Sequence, residues 1–179
     1  LHSRKVAGVL AFVEGFKDTA EDLAGLVLGD AVNLAELGGD GRGGDVVGDV
    51  EAAFELARRL DELGVDGVIV QDLAFLELEL PRGLALIAST QMDCRNPERV
   101  RFLEAAGVSR AILARELSLA EIGAVRRAAP RIELEYFVHG ALCVGYSGQC
   151  YLSYALGGRS GNRGQCAQPC RKAYRLVDA

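Results

Sequence analysis

Two rhythms of apolar and polar positions run along this chain. Over Glu51–Leu63, Ala53, Leu56, Ala57, Leu60 and Leu63 recur at helical spacing, which predicts an amphipathic helix with Gly64 as its C-cap. Val65–Val70 then reads as a short buried strand, and Leu84–Thr90 as a second. Asn96 and Pro97 offer an N-cap and a first-turn proline for a helix that reaches about Ala106 and stops at Gly107. Arg110–Ala114 reads as a third strand. Ser118 and Glu121 form a capping box for another helix, which ends before Pro130. Ile132–Val138 reads as a fourth strand.

Strands separated by helices imply a parallel sheet with crossover connections, as in a (β/α) barrel or a doubly wound sheet. One detail favours the barrel. Each strand runs into polar residues: Gln71 and Asp72, Thr90 and Gln91, Arg115 and Glu116, then His139. In a barrel the active site lies at the C-terminal ends of the strands. The plain alternative is that strands end in polar loops. Four strands are half a barrel, and a lone half would leave sheet edges open. Either the N-terminal part adds strands or the chain is a fragment.

Residues 1–45 form an N-terminal segment of their own. Val6–Val13 fits a strand, Thr19–Leu28 a helix, and Gly38–Gly44 a linker that lacks the lysine of a phosphate-binding loop. Residues 46–179 form the main unit, and within it residues 140–175 are rich in Gly, Ser, Tyr and Cys without a clear period. The expected fold class is therefore α/β: a partial TIM-barrel-like domain with an irregular cysteine-rich C-terminal segment.

Composition is globular, with 50% hydrophobic and 25% charged residues. No apolar run is long enough for a membrane span, and residues 1–30 lack the pattern of a secretory signal. A cytoplasmic, reducing setting is expected. There a cysteine cluster more often binds metal or does redox chemistry than forms disulfides.

Charge is unevenly spread. Between Glu135 and Asp178 there is no acidic residue, but there are Arg159, Arg163, Arg171, Lys172 and Arg175. The net charge of −5 thus divides into +5 there and −10 elsewhere. Such a stretch either meets an anionic partner or balances thiolates.

The same stretch holds Cys143, Cys150, Cys166 and Cys170, spaced C-x6-C-x15-C-x3-C. Zinc sites more often use two close pairs. Wide all-cysteine spacing suits a 4Fe–4S cluster, and zinc is the alternative. Cys94 stands apart and reads as a small buried hydrophobe.

The run Glu135-Tyr136-Phe137-Val138-His139-Gly140-Ala141-Leu142-Cys143, followed by Gly148-Gln149-Cys150-Tyr151-Leu152-Ser153, resembles the signature of peptidase family U32. Leu113–Leu119 upstream and Asn162–Arg171 downstream are similar to further blocks of that family. The resemblance covers residues 50–175, whereas residues 6–45 lack the family's opening strand and its Pro-Ala-Gly turn.

Membership would imply a barrel-like core and two kinds of activity. The family name implies a collagenase-like peptidase. Other members resemble oxygen-independent hydroxylases of a tRNA wobble uridine (at its 5-position), of ribosomal RNA or of the ubiquinone ring. Several of these hold a 4Fe–4S cluster, and prephenate is implied as oxygen donor in the RNA-modifying groups.

A peptidase needs an activated nucleophile or a metal-bound water. His2 and His139 are the only histidines, and neither a His-Glu-x-x-His nor a Gly-x-Ser-x-Gly motif occurs. A Cys143–His139 dyad would leave three cysteines unexplained. The expectation is therefore an iron–sulfur hydroxylase acting on tRNA or rRNA, with Cys143, Cys150, Cys166 and Cys170 as cluster ligands. His139, Arg115, Glu116 and Gln91 would line the barrel mouth as catalytic residues. Arg159, Arg163, Arg171 and Lys172 would contact RNA phosphate. A collagenase-like peptidase and a zinc-stabilised, non-catalytic binding module are the alternatives.

Overall fold

The computed structural model describes residues 31–33, 46–77, 79–140, 142–163 and 165–175. The strand expected at Val6–Val13, the helix at Thr19–Leu28, the linker at Gly38–Gly44 and His2 lie outside the described residues.

Five parallel strands form one sheet: β1 (Ala31–Asn33), β2 (Gly67–Val70), β3 (Ala85–Ala88), β4 (Arg110–Ile112) and β5 (Glu133–Glu135). Their spatial order is their chain order. A doubly wound sheet reverses its strand order at a switch point, and no reversal occurs among the described strands. β1 was not predicted, because a three-residue strand in a Gly- and Asp-rich stretch carries no readable period.

Helix α1 (Val46–Glu62) precedes β2, α2 (Pro97–Ala105) joins β3 to β4, and α3 (Leu119–Ala128) joins β4 to β5. α1 starts five residues before the expected Glu51. Its predicted face holds at Leu56, Ala57 and Leu60 and fails at Leu63, which is exposed. The chain leaves the helix there: Gly64 takes a left-handed conformation (φ +75°), Val65 N–H reaches back to Leu60 O (3.1 Å) and Gly64 N–H to Asp61 O (2.9 Å). This Schellman closure recurs after α2, where Val108 N–H meets Leu103 O at 3.0 Å and Gly107 N–H meets Glu104 O at 3.2 Å. In both cases the residue after the glycine is buried against the last turn and leads into the next strand.

The predicted caps form. Asn96 Oδ1 accepts from Arg99 N–H (2.8 Å), and Ser118 and Glu121 exchange the bonds of a capping box. These bonds from Ser118 hold the Glu121 carboxyl below its ordinary range.

Val100 and Leu103 of α2 and Val125 of α3 are buried where the two helices pack together. With Val68, Val70, Ala88, Ala111 and Leu113 from the strands and their ends, they form the core. The strands are shorter than predicted. Leu84–Thr90 shrinks to Ala85–Ala88 because the buried Ser89 caps a 3-10 turn at Thr90–Met92. Arg110–Ala114 likewise pairs only over Arg110–Ile112 and Ile132–Val138 only over Glu133–Glu135, and Val138 is 93% exposed. Beyond the paired residues the chain serves the strand ends.

From residue 142 onward the segment is irregular, as expected: a six-residue helix α4 (Leu152–Gly157) and 3-10 turns at Gly161–Arg163 and Pro169–Arg171. α4 packs on the second of these turns. No described helix is long and apolar enough to cross a membrane.

Candidate functional site

The cysteine-rich segment returns to the C-terminal ends of β3 and β4, and Ser147 is the point of contact. It is fully buried although its neighbours in the loop are half-buried or exposed. Its N–H donates to Glu116 Oε1 at 2.5 Å and its hydroxyl to Glu116 Oε2 at 3.1 Å. The same hydroxyl lies 3.4 Å from Thr90 Oγ1 and 3.5 Å from the Arg115 N–H. Thr90 also donates to Leu113 O at 3.3 Å, which ties the end of β3 to that of β4.

Partial burial acts to raise the Glu116 carboxyl. The bonds from Ser147 N–H and Oγ–H, the residue's own N–H and the neighbouring Arg115 charge outweigh it and hold the pKa below the ordinary glutamate range.

Gly148 completes the contact. Its φ is +74°, and a Cβ there would stand 2.2 Å from Gln91 O. Only glycine can take that conformation at that closeness. Two side chains carry the docking further: Gln91 Nε2–H donates to Gly161 O (3.1 Å) and Asn162 Nδ2–H to Gly148 O (3.1 Å). Beside them the Arg95 guanidinium, paired with Asp93, lies 5.2 Å from the centre of the Tyr146 ring. Tyr136, half-buried just after β5, shares its one hydroxyl proton between Arg115 O and Leu117 O, each 2.9 Å away.

Of the four residues predicted to line the mouth, three therefore meet. Gln91 and Glu116 spend their hydrogen bonds on the cysteine-rich segment, and Arg115 joins through its backbone. His139 stands apart: it is exposed, and no hydrogen bond joins it to those three or to Cys143.

All five cysteines are free thiols. Cys143 and Cys150 are half-buried, on the loop that Ser147 holds; Cys166 and Cys170 are exposed, on the loop that follows α4. The two loops are tied together. Arg171 Nη2–H donates to Leu142 O (2.9 Å), beside Cys170 and Cys143 respectively, and Ala167 N–H fastens the second loop to α4 through Ser153 Oγ (2.9 Å). Gln168 N–H points at Cys166 Sγ (3.3 Å). In kind, this donor set fits an iron–sulfur group or zinc. Among the described residues, no three Cys, His, Asp or Glu side chains stand close enough together to hold an ion.

Cys94 differs from the others. It is buried beneath the site, and burial pushes its thiol up to about 12, against a smaller lowering by Arg99. It is a core residue, as its isolation in the sequence predicted.

Of the basic residues, Arg159 donates to Gln165 O (3.0 Å) and Arg171 to Leu142 O, while the Lys172 side chain is exposed. The described contacts of Arg159 and Arg171 go to carbonyls, which carry no charge. An open cavity of about 480 Å³ lies elsewhere, along the start of β4 and β5, lined by Arg110, Arg126 and Glu133 among others, and includes none of the predicted site residues.

Sequence reasoning missed Ser147 and Asn162 as parts of the site and found Thr90 only as a polar strand end. The available signal was a small polar residue followed by glycine between two cysteines.

These features define an α/β protein that carries a cysteine-rich segment docked on the C-terminal ends of its parallel strands. The profile of peptidase family U32 matches residues 47–179, and the chain belongs to that family. It is 49% identical over 130 residues to the 23S rRNA 5-hydroxycytidine C2501 synthase of Escherichia coli, covering 73% of this chain and 20% of that protein. It is 41% identical over 119 residues to tRNA hydroxylation protein P of Escherichia coli (65% and 26%), and 34% identical over 125 residues to a collagenase of Porphyromonas gingivalis (64% and 30%). The chain thus spans 20–30% of the length of these relatives. The solved structure of the U32 peptidase Mk0906 superposes with a TM-score of 0.44 at 22% identity, covering 59% of this chain and 43% of that one.

Proposed function

We propose that this chain is part of an oxygen-independent RNA hydroxylase. Its cysteine-rich segment would hold a 4Fe–4S cluster at the mouth of a TIM-barrel-like domain, and the enzyme would act in the cytoplasm on a pyrimidine of tRNA or rRNA. The observation that carries the reading is the docking itself: Ser147 and Gly148 seat the cysteine loops on the strand ends, where barrel enzymes keep their chemistry. The unreversed order of the five parallel strands supports the barrel. Two RNA-hydroxylating relatives, at 49% and 41% identity, support the substrate class.

Cys143, Cys150, Cys166 and Cys170 are the residues that would hold the cluster, which would supply one-electron chemistry to the reaction. Zinc in the same cysteines is the alternative occupant. Prephenate is the oxygen donor implied by the family resemblance. Arg115 is the side chain that would be offered to substrate beside Gln91 and Glu116, and His139, which stands apart from them, would have to be brought to the mouth by the substrate. Arg159, Arg163, Arg171 and Lys172 would neutralise phosphate on a chain stretch free of carboxylates. The target base would have to be splayed out of its stack to reach the site.

The peptidase reading rests on the collagenase relative at 34% identity. Among the described residues, no hydrogen bond joins His139 to Cys143, the nucleophile–base pair that reading would use.

The test is nucleoside mass spectrometry of tRNA and rRNA from cells with and without the intact gene. Loss of a hydroxylated pyrimidine on deletion, restored by the wild type and not by a Cys166→Ala variant, is the expected result. Unchanged RNA nucleosides, together with casein or gelatin cleavage by the purified protein, would replace this reading with the peptidase.

A further inference from the structure

We propose that Glu116 is a positioning residue: acting through Ser147, it fixes the loop bearing Cys143 and Cys150 to the ends of β3 and β4. Ser147 lies between the two cysteines, four residues after one and three before the other. Both of its donors meet the two oxygens of one carboxylate. A carboxylate is an acceptor only, and a backbone N–H with an adjacent hydroxyl is a matched pair of donors for it. The full burial of Ser147 makes this a specific seat, because leaving it would strip a buried hydroxyl of its partners.

Gly148 gives the seat its second surface. The Gln91 carbonyl fills the space a Cβ would need, so the loop can approach the strand end only with glycine at that position. Gln91 and Asn162 then pass the fixation to the following turn, through Gly161 O and Gly148 O.

The same geometry argues against Glu116 as a proton-transfer group. Both oxygens are occupied from within the chain, and the carboxyl is held acidic. A general base is most effective with a pKa near the working pH.

The inference bears on the proposed cluster site, since the loop matters most if its thiols act as a set. Its test does not depend on a cluster. The full-length protein, reduced and stripped of metal with a chelator, is treated with iodoacetamide, and the alkylation rate of each cysteine is read by mass spectrometry. Buried Cys94 serves as an internal reporter of the intact fold.

In the wild type, Cys166 and Cys170 should react quickly, Cys143 and Cys150 slowly, and Cys94 hardly at all. Glu116→Ala and Gly148→Ala should each speed Cys143 and Cys150 by about tenfold, with Cys94 still protected. Glu116→Gln keeps an acceptor for the Ser147 N–H and should stay within about threefold of wild type. Unchanged rates at Cys143 and Cys150 in Glu116→Ala would overturn the proposal. So would a rise at all five cysteines together, which would make Glu116 a support of the whole fold. Absence of iron and sulfide from the wild-type protein would count against the hydroxylase reading and leave these rates as they are.

Discussion

The body of the molecule, from α1 to β5, and the cysteine-rich segment are held together by different forces. In the body, apolar side chains face inward: Leu60, Leu103, Leu113, Val125 and Ile132 are fully or almost fully buried, and two Schellman closures and two side-chain caps finish the helices. In the segment, Leu142, Val144, Leu152 and Leu156 are exposed, and among its described residues the buried ones are Ser147, Ser153 and Pro169. The body is stabilised by area removed from water, at about 25 cal/mol per Å². The segment is stabilised by point contacts, each worth ~1 kcal/mol or somewhat more when one partner is charged. Burial is spread over many residues and tolerates local change. Point contacts concentrate the function of a loop in a few atoms.

The largest expected effect tests the chemistry of the segment. Cys166→Ala should abolish bound iron and acid-labile sulfide in anaerobically purified protein while leaving the circular dichroism of the body unchanged. Iron content equal to wild type would remove Cys166 from the ligand set.

Next comes the core. Leu103→Ala should destabilise the fold by about 2–5 kcal/mol, read from urea unfolding, because it opens a cavity where α2 meets α3. Leu156→Ala in the segment should cost within about 0.5 kcal/mol. Equal losses at the two sites would erase the contrast drawn between the regions.

A cap gives a smaller effect within the body. Ser118→Ala should cost ~1 kcal/mol by the same measurement, since Glu121 N–H loses its acceptor and the capping box opens.

The smallest and most local effect is one of pH. Glu116 has a depressed folded-state pKa, so its contribution is fully present above the unfolded glutamate value of about 4.3 and disappears as pH falls through the folded value. Hydrogen-exchange protection of Ser147 should therefore persist on acidification through the ordinary glutamate range and fall below it. Loss of protection already at neutral pH would show that Glu116 does not hold the loop.

Much of the body was legible in the sequence because periodicity and capping are local. Asn96 with Pro97, Ser118 with Glu121 and Gly64 each act within one helical turn, so the helices they close were readable. So were the parallel α/β class, the isolation of Cys94, and the blocks around Cys143 and Cys150 that resemble family U32. The apolar runs are longer than the strands, because they continue beyond the last ladder bond into residues such as Ala114 that are buried for other reasons.

The polar strand ends were also found in the sequence, but their partners were not. That Glu116 meets Ser147 is a contact across 31 residues, and that Gln91 meets Gly161 one across 70. Neither leaves a trace in spacing or hydrophobicity. The sequence by itself determined which segments become helix and strand and which residue types carry chemistry, because those depend on neighbours a turn away. Only the tertiary structure decided that a serine and a glycine between two cysteines become the seat of the loop, because hydrogen bonds over such distances exist only once the sheet has brought their donors and acceptors together.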